Sequence, residues 1–297
     1  MRIGIVVGVL LVMAAAVIAQ PPDWASVRSF TYQLQTIDLR AIAATKFELA
    51  VIDYSSDGSE ESRFSAEQIA AVQKTGKRIL AYMSIGEAED YRFYWQKDWA
   101  HKPPAWLDRV NPEWKGNYKV RYWDPAWQAI VMAYLDKIID AGFDGVYLDC
   151  VDSFEYWGPD GEGKLNRESA PREMADFVMA IARHARVERG KPGFAVFPQN
   201  GEALGQFADY VAAVNGIGRE DVFYNGNKPN KASETAEVVK NLEVFERAGK
   251  LVLIIDYVRK KPLIDAFYTR CEERGFVPYA TVRPLDALVI NPGHEPR

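Results

Sequence analysis

Apolar positions in this chain come in short unbroken runs, set between longer stretches where apolar residues recur with helical spacing. The strand-like runs are Phe30–Leu34, Leu49–Tyr54, Ile79–Ser84, Asp144–Asp149, Phe194–Pro198, Tyr210–Asn215, Leu251–Tyr257 and Val277–Thr281. Most are continuous rather than alternating, as in parallel strands covered on both faces. The helices between them carry clear end signals. Asp124-Pro125 reads as N-cap and first helical residue of a helix running to Ala141, with Gly142 behind it. Ser65 and Gln68 form a capping box for a helix that Gly76 ends. Further helices start near Pro171, Ser233 and Pro262 and stop before Gly190, Gly249 and Gly275.

Strands alternating with helices predict a parallel sheet, and eight repeats predict closure into a single (β/α)₈ TIM barrel. The competing architecture is an open doubly wound sheet, which the absence of a G-x-G-x-x-G turn disfavours. Tyr118–Trp123 has strand character but falls in a long, aromatic-rich loop after the third strand. No low-complexity linker divides the chain, so residues 20–297 are read as one domain. Ahead of it, Arg2, the apolar run Ile3–Ile18 and Ala19 read as a signal peptide spanning 1–19. The expected protein is exported, to the periplasm or the medium, with no membrane association after cleavage. A retained anchor is the alternative, although a span needs about 20 apolar residues.

With Arg2 set aside, 35 basic residues face 41 acidic ones, which disfavours nucleic acid as a partner. Nothing points to an oligomer, and a monomer is expected. Cys150 and Cys271 do not make a disulfide framework; Cys150 is expected to be a small buried side chain just after a strand.

In a parallel barrel, function gathers at the carboxyl ends of the strands. The eight runs deliver acids, amides and tyrosines there. None of the three histidines (His101, His184, His294) lies at a strand end, so a Ser-His-Asp triad or a His-rich zinc site is not expected. A metal held by carboxylates such as Asp149 and Asp152 stays open, but no metal or other cofactor is called for. Paired carboxylates without His suit glycoside hydrolysis, in which one acid protonates the leaving oxygen and the other attacks or activates water. Asp149 ends the fourth strand and Glu202 follows the fifth. Neighbouring strands lie about 4.8 Å apart, so the two can face one bond. By position, Glu202 suits the proton donor and Asp149 the nucleophile. An acidic rim of Asp53, Glu87, Asp124, Asp149, Asp152, Glu202 and Asp256 would attract a cationic substrate such as an amino sugar. The aromatic residues of the long loop, including Trp95, Trp106, Trp114, Tyr118, Tyr122 and Trp123, either pack that loop or line subsites for a sugar chain.

Several strings resemble the endo-α-1,4-polygalactosaminidase family of glycoside hydrolases, family 114. They are Tyr32–Gln35, Val51–Tyr54, Ser84–Arg92, Val120–Trp127, Gly142–Asp149 and Pro198–Glu202, in that order along the chain. The resemblance implies a TIM barrel acting on α-1,4-linked, galactosamine-containing polysaccharide. It also implies Asp149 and Glu202 as the catalytic pair and favours retention of configuration. Cys150, beside Asp149, departs from the family pattern. The side chains expected to bind substrate are Gln33, Asp53, Tyr54, Glu87, Arg92, Trp123, Asp124, Asp152, Asn200, Tyr224, Asp256, Tyr257 and Arg283. The alternatives are a non-catalytic carbohydrate-binding barrel and a metal-assisted hydrolase of another class.

Overall fold

The structure, a computed structural model, describes residues 23–297; the signal-peptide expectation and the start of the expected domain lie outside them. Among the described residues no helix is long and apolar enough to cross a membrane. The described residues hold thirteen strands. Eight are parallel barrel strands: β1 (Phe30–Gln33), β2 (Leu49–Asp53), β3 (Arg78–Ser84), β7 (Gly145–Asp149), β8 (Ala195–Pro198), β9 (Gly216–Glu220), β12 (Leu251–Asp256) and β13 (Val277–Ala280). They form two hydrogen-bonded arcs, β1-β2-β3-β7-β8 and β9-β12-β13. A parallel bridge between Gln199 and Gly218 joins the arcs at one seam.

At the other seam β13 and β1 share no ladder, and the segment after β13 stitches them together. The amides of Leu34 and Gln35 both donate to the carbonyl of Leu285, at 2.8 and 3.1 Å. The Thr31 hydroxyl meets that of Tyr279 at 3.0 Å, and the amide of Val289 donates to the same tyrosine oxygen.

Side chains alternate across these strands with period two. In β2, Leu49 and Val51 belong to the cluster inside the barrel, while Ala50 and Ile52 pack beneath the helices. In β12, Leu251, Leu253 and Ile255 point in, and Val252 and Ile254 point out. Tyr147 of β7 points in, with Val146 and Leu148 outside. This parity decides which strand-end residue reaches the mouth.

The helices follow their sequence signals. Asp124 caps α3 (Pro125–Asp140) through the amide of Ala126, and Ser65 and Gln68 close a capping box on α2 (Ala66–Gln73). Around them run α1 (Leu39–Ala44), α4 (Ser153–Trp157), α5 (Ala170–Arg183), α6 (Ala208–Ala213), α7 (Ala232–Arg247) and α8 (Lys261–Glu272).

Two expectations are corrected. Tyr210–Asn215 is not the sixth strand: Ala208–Ala213 is helical, burying Tyr210 and Val211. The sixth barrel strand is β9, whose Gly-Ile-Gly-Arg-Glu sequence shows no apolar run. Its glycines are required by the rings that lie over them inside the barrel. A Cβ on Gly218 would lie 1.7 Å from the Tyr147 hydroxyl, and one on Gly216 would lie 2.2 Å from the Phe197 ring. The long segment after β3 is also more ordered than a loop. It holds an antiparallel sheet of β4 (Glu87–Glu89), β5 (Leu107–Val110) and β6 (Asn117–Val120), in the order β4-β6-β5. A small antiparallel pair, β10 (Tyr224–Asn225) and β11 (Lys228–Pro229), follows β9.

Candidate active site

A cleft of about 790 Å³ opens at the carboxyl ends of the barrel strands. Asp149, the last residue of β7, has the same parity as Tyr147 and so points into it. Three donors hold its carboxylate. The Tyr82 hydroxyl donates to Oδ2 at 2.7 Å, and the Cys150 amide and Gln199 Nε2 donate to Oδ1 at 2.8 and 3.1 Å. Burial, and then the charge of Glu220, nonetheless push its pKa up to about 8. The backbone turns sharply after both strand ends. Cys150 and Asn200 adopt left-handed conformations at φ 57° and 62°, a strain characteristic of functional positions. Cys150 itself is half-buried, free and lines the cleft, rather than packing in the core as expected.

One wall is an ion-pair network. Arg92, fully buried, makes two contacts with Asp53, at 2.9 Å (Oδ1) and 2.7 Å (Oδ2), and two with Glu89, at 2.6 Å (Oε2) and 3.4 Å (Oε1). Next to it, Glu87 receives Lys119 at 2.5 Å, Asn111 at 2.9 Å and Asn117 at 3.2 Å. Lys119 and Asn117 belong to β6 and Asn111 follows β5, so the small antiparallel sheet fastens β4 to the cleft.

The opposite wall carries Asn200, Glu220, Tyr257 and Arg283. Glu220 ends β9, accepts a hydrogen bond from the Tyr257 hydroxyl and has its pKa raised by burial. Asp152 lines the cleft beside Asp149, and burial raises its pKa too. Eight carboxylates line the cleft (Asp53, Asp57, Glu87, Glu89, Glu113, Asp149, Asp152 and Glu220), against the four cations Arg92, Lys115, Lys119 and Arg283. Such an imbalance favours a cationic ligand. Among the described residues, no three His, Cys, Asp or Glu side chains converge as metal ligands.

Of the residues expected to bind substrate, Asp53, Glu87, Arg92, Asp152, Asn200, Tyr257 and Arg283 come together in this cleft. Six others do not line it, and each has a structural reason. Tyr54 has outward parity; its ring packs on Phe93 and Tyr134, and its hydroxyl donates to Glu60. Asp256 also faces outward, where its carboxylate accepts the amides of Val222, Phe223 and Tyr224. Gln33 spends its amide group on the carbonyls of Gln35 and Thr36. Tyr224 is buried in β10, Trp123 packs against Tyr122 and Trp157, and Asp124 is occupied as a helix cap.

Glu202 stands just outside the cleft lining, at the start of the helical turn Glu202–Gln206. Its carboxylate is 12% exposed, and its Oε2 lies 3.0 Å from Arg219 Nε without meeting hydrogen-bond geometry. Burial is the main cause that raises the pKa values of nearby Asp152 and Glu155. Sequence reasoning passed over Tyr32, Tyr82, Glu89, Lys119, Gln199 and Glu220 as site residues. Counting by twos from Phe30 to Tyr32, from Leu80 to Tyr82, or from Phe197 to Gln199, is the signal that finds several of them.

A (β/α)₈ barrel with converging carboxylates at its strand ends is an arrangement that suits glycoside hydrolysis. The model of glycoside-hydrolase family GH114 matches residues 13–295, and the chain belongs to that family. It is 42% identical over 271 residues to an uncharacterized protein of Methanocaldococcus jannaschii, covering 87% of this chain and 77% of that one. It is 39% identical over 298 residues to one of Thermotoga maritima, covering 97% and 91%. Among solved structures, the glycoside hydrolase domain of PelA from Pseudomonas aeruginosa superposes with a TM-score of 0.70 at 17% identity, over 89% of this chain and 98% of that one. Ega3 of Aspergillus fumigatus, in complex with galactosamine, gives 0.66 at 18% identity, over 90% and 95%.

Proposed function

We propose that this glycoside hydrolase is exported and cleaves α-1,4 linkages in galactosamine-containing polysaccharide, with Asp149 and Glu202 as its catalytic pair. The observation that carries this reading is Asp149, held at the floor of an acidic cleft with its pKa pushed up to about 8. A carboxyl in that state is poorly ionised in an empty site at neutral pH. An ammonium group on the substrate offsets the burial and the Glu220 charge, and so favours the carboxylate form. Cation binding therefore readies the nucleophile. Attack by Asp149 Oδ on the anomeric carbon forms a glycosyl ester while Glu202 protonates the departing oxygen. Glu202 then takes a proton from water as the ester is hydrolysed, so configuration is retained. To reach that bond, Glu202 has to turn from its ion pair with Arg219 toward the cleft. The galactosamine named in the Ega3 complex supports the substrate class.

The test is hydrolysis of galactosamine-rich polysaccharide, free and N-acetylated, with and without chelator. Asp149→Asn and Glu202→Gln should each abolish turnover while circular dichroism stays unchanged. Full activity in either variant overturns the pair. A preference for the acetylated polymer overturns the cationic substrate, and loss of activity with chelator turns the reading to metal-assisted hydrolysis. Processing at Ala19, read by N-terminal sequencing of the secreted protein, tests export.

A further inference from the structure

Among the described residues, two aromatic side chains are exposed, Tyr91 at 48% and Trp114 at 54%, and both line the cleft. Tyr91 is already engaged: its hydroxyl donates to Glu89 at 2.5 Å, and the Arg92 guanidinium lies 5.0 Å from its ring. Trp114 has no such partner. Each of the other seven tryptophans meets another aromatic ring. Trp95, Trp99 and Trp106 of the β4–β6 excursion and Trp127 of α3 form one series of edge-to-face and tilted contacts. Trp123 and Trp157 pack on each other, and Trp24 packs on Phe197. Trp114 alone of the eight has no aromatic partner, and it is the most exposed of them.

The turn that carries it is firmly held. The amide of Asn111 donates to the carbonyl of Asn117 at 2.7 Å, and the amide of Asn117 donates to that of Trp114 at 3.0 Å. Asn111 and Asn117 also reach the carboxylate of Glu87 on the cleft wall. The indole is thus presented by a braced support that is tied directly to the site.

We propose that Trp114 is a sugar-stacking platform, a subsite at the cleft rim where a pyranose ring of the polysaccharide lies against the indole, away from the bond being cleaved. The apolar face of a pyranose and a flat exposed ring are complementary, and holding the chain at the rim as well as at Asp149 favours long substrates over short ones. This rests on the reading of the cleft as a polysaccharide site. On galactosamine polymer, Trp114→Ala should raise KM about five- to tenfold, the loss of one stacking contact, with the defect in KM rather than kcat. Trp114→Phe should recover most of it, and the defect should shrink on a disaccharide too short to reach the rim. An unchanged KM on polymer overturns the subsite.

A binding measurement keeps this failure apart from failure of the proposed reaction. Asp149→Asn protein, with and without Trp114→Ala, is run by affinity electrophoresis through gels holding galactosamine polymer, chitosan or a neutral glucan. Retardation in any gel that Trp114→Ala relieves supports the subsite whatever the reaction proves to be. Equal retardation, or none in any gel, overturns it.

Discussion

Asp149→Asn should make the protein more stable as well as inactive, and the gain should grow with pH. In the unfolded chain an aspartate loses its proton near pH 3.9. In the folded chain burial and Glu220 hold that proton until about pH 8. The folded pKa is the higher one, so between these values folding takes up a proton, and stability falls as pH rises. The slope approaches about 1.4 kcal/mol per pH unit, which amounts to an upper bound on the order of 4 kcal/mol between pH 4 and 7. Asparagine matches the protonated acid in shape, keeps an oxygen for the Cys150 amide and Gln199 Nε2, and carries no charge at any pH. Urea denaturation of both proteins at half-unit steps from pH 4.5 to 8 provides the assay. The variant should match wild type at the acid end and exceed it increasingly above pH 5. A difference that stays flat across the range would refute the reasoning, because Asp149 would then be titrating as an ordinary solvated carboxylate.

Two further outcomes follow from the same geometry. Glu220→Gln removes the like charge that helps hold Asp149 protonated, while its amide oxygen can still accept from Tyr257. The acid limb of the kcat/KM profile should therefore move to lower pH, with a several-fold gain at pH 6; an unmoved limb would separate the two carboxylates. Gly218→Ala drives a methyl to 1.7 Å from the Tyr147 hydroxyl, so the barrel should lose roughly 1–3 kcal/mol. Tyr147→Phe in the same chain should restore part of that loss in thermal denaturation.

The order of strands and helices was largely legible because caps such as Asp124 and Ser65, and left-handed glycines such as Gly142, are local signals. The strand that escaped, β9, is written in glycines because the rings of Tyr147 and Phe197, from β7 and β8, lie over it inside the barrel and need the room. Nothing within Gly216–Glu220 reports on the rings of Tyr147 and Phe197, which belong to other strands. The same kind of blindness divided the site. Asp53-Tyr54 and Asp256-Tyr257 are each two polar candidates at one strand end, and only Asp53 and Tyr257 face the mouth. Parity settles such pairs, and it can be counted from the strand's own apolar residues once the strand is known. The contribution of β4–β6, through Lys119, Asn111 and Asn117, depends on tertiary pairing and left no mark in the local pattern.

The stitched seam between β13 and β1 has a bearing on how this protein is made. The carbonyl of Leu285 satisfies amides at residues 34 and 35, so the first barrel strand waits for almost the whole chain before its neighbour is complete. During synthesis, the arc from β1 to β8 can form while β1 still presents an open edge. An exposed edge strand of that kind is a template for pairing with other chains. Closure is thus a contact of the longest sequence range available, the slowest kind to find. A chain that stops at Thr281 keeps every catalytic candidate yet leaves that edge unsewn. Its predicted failing is aggregation rather than loss of chemistry.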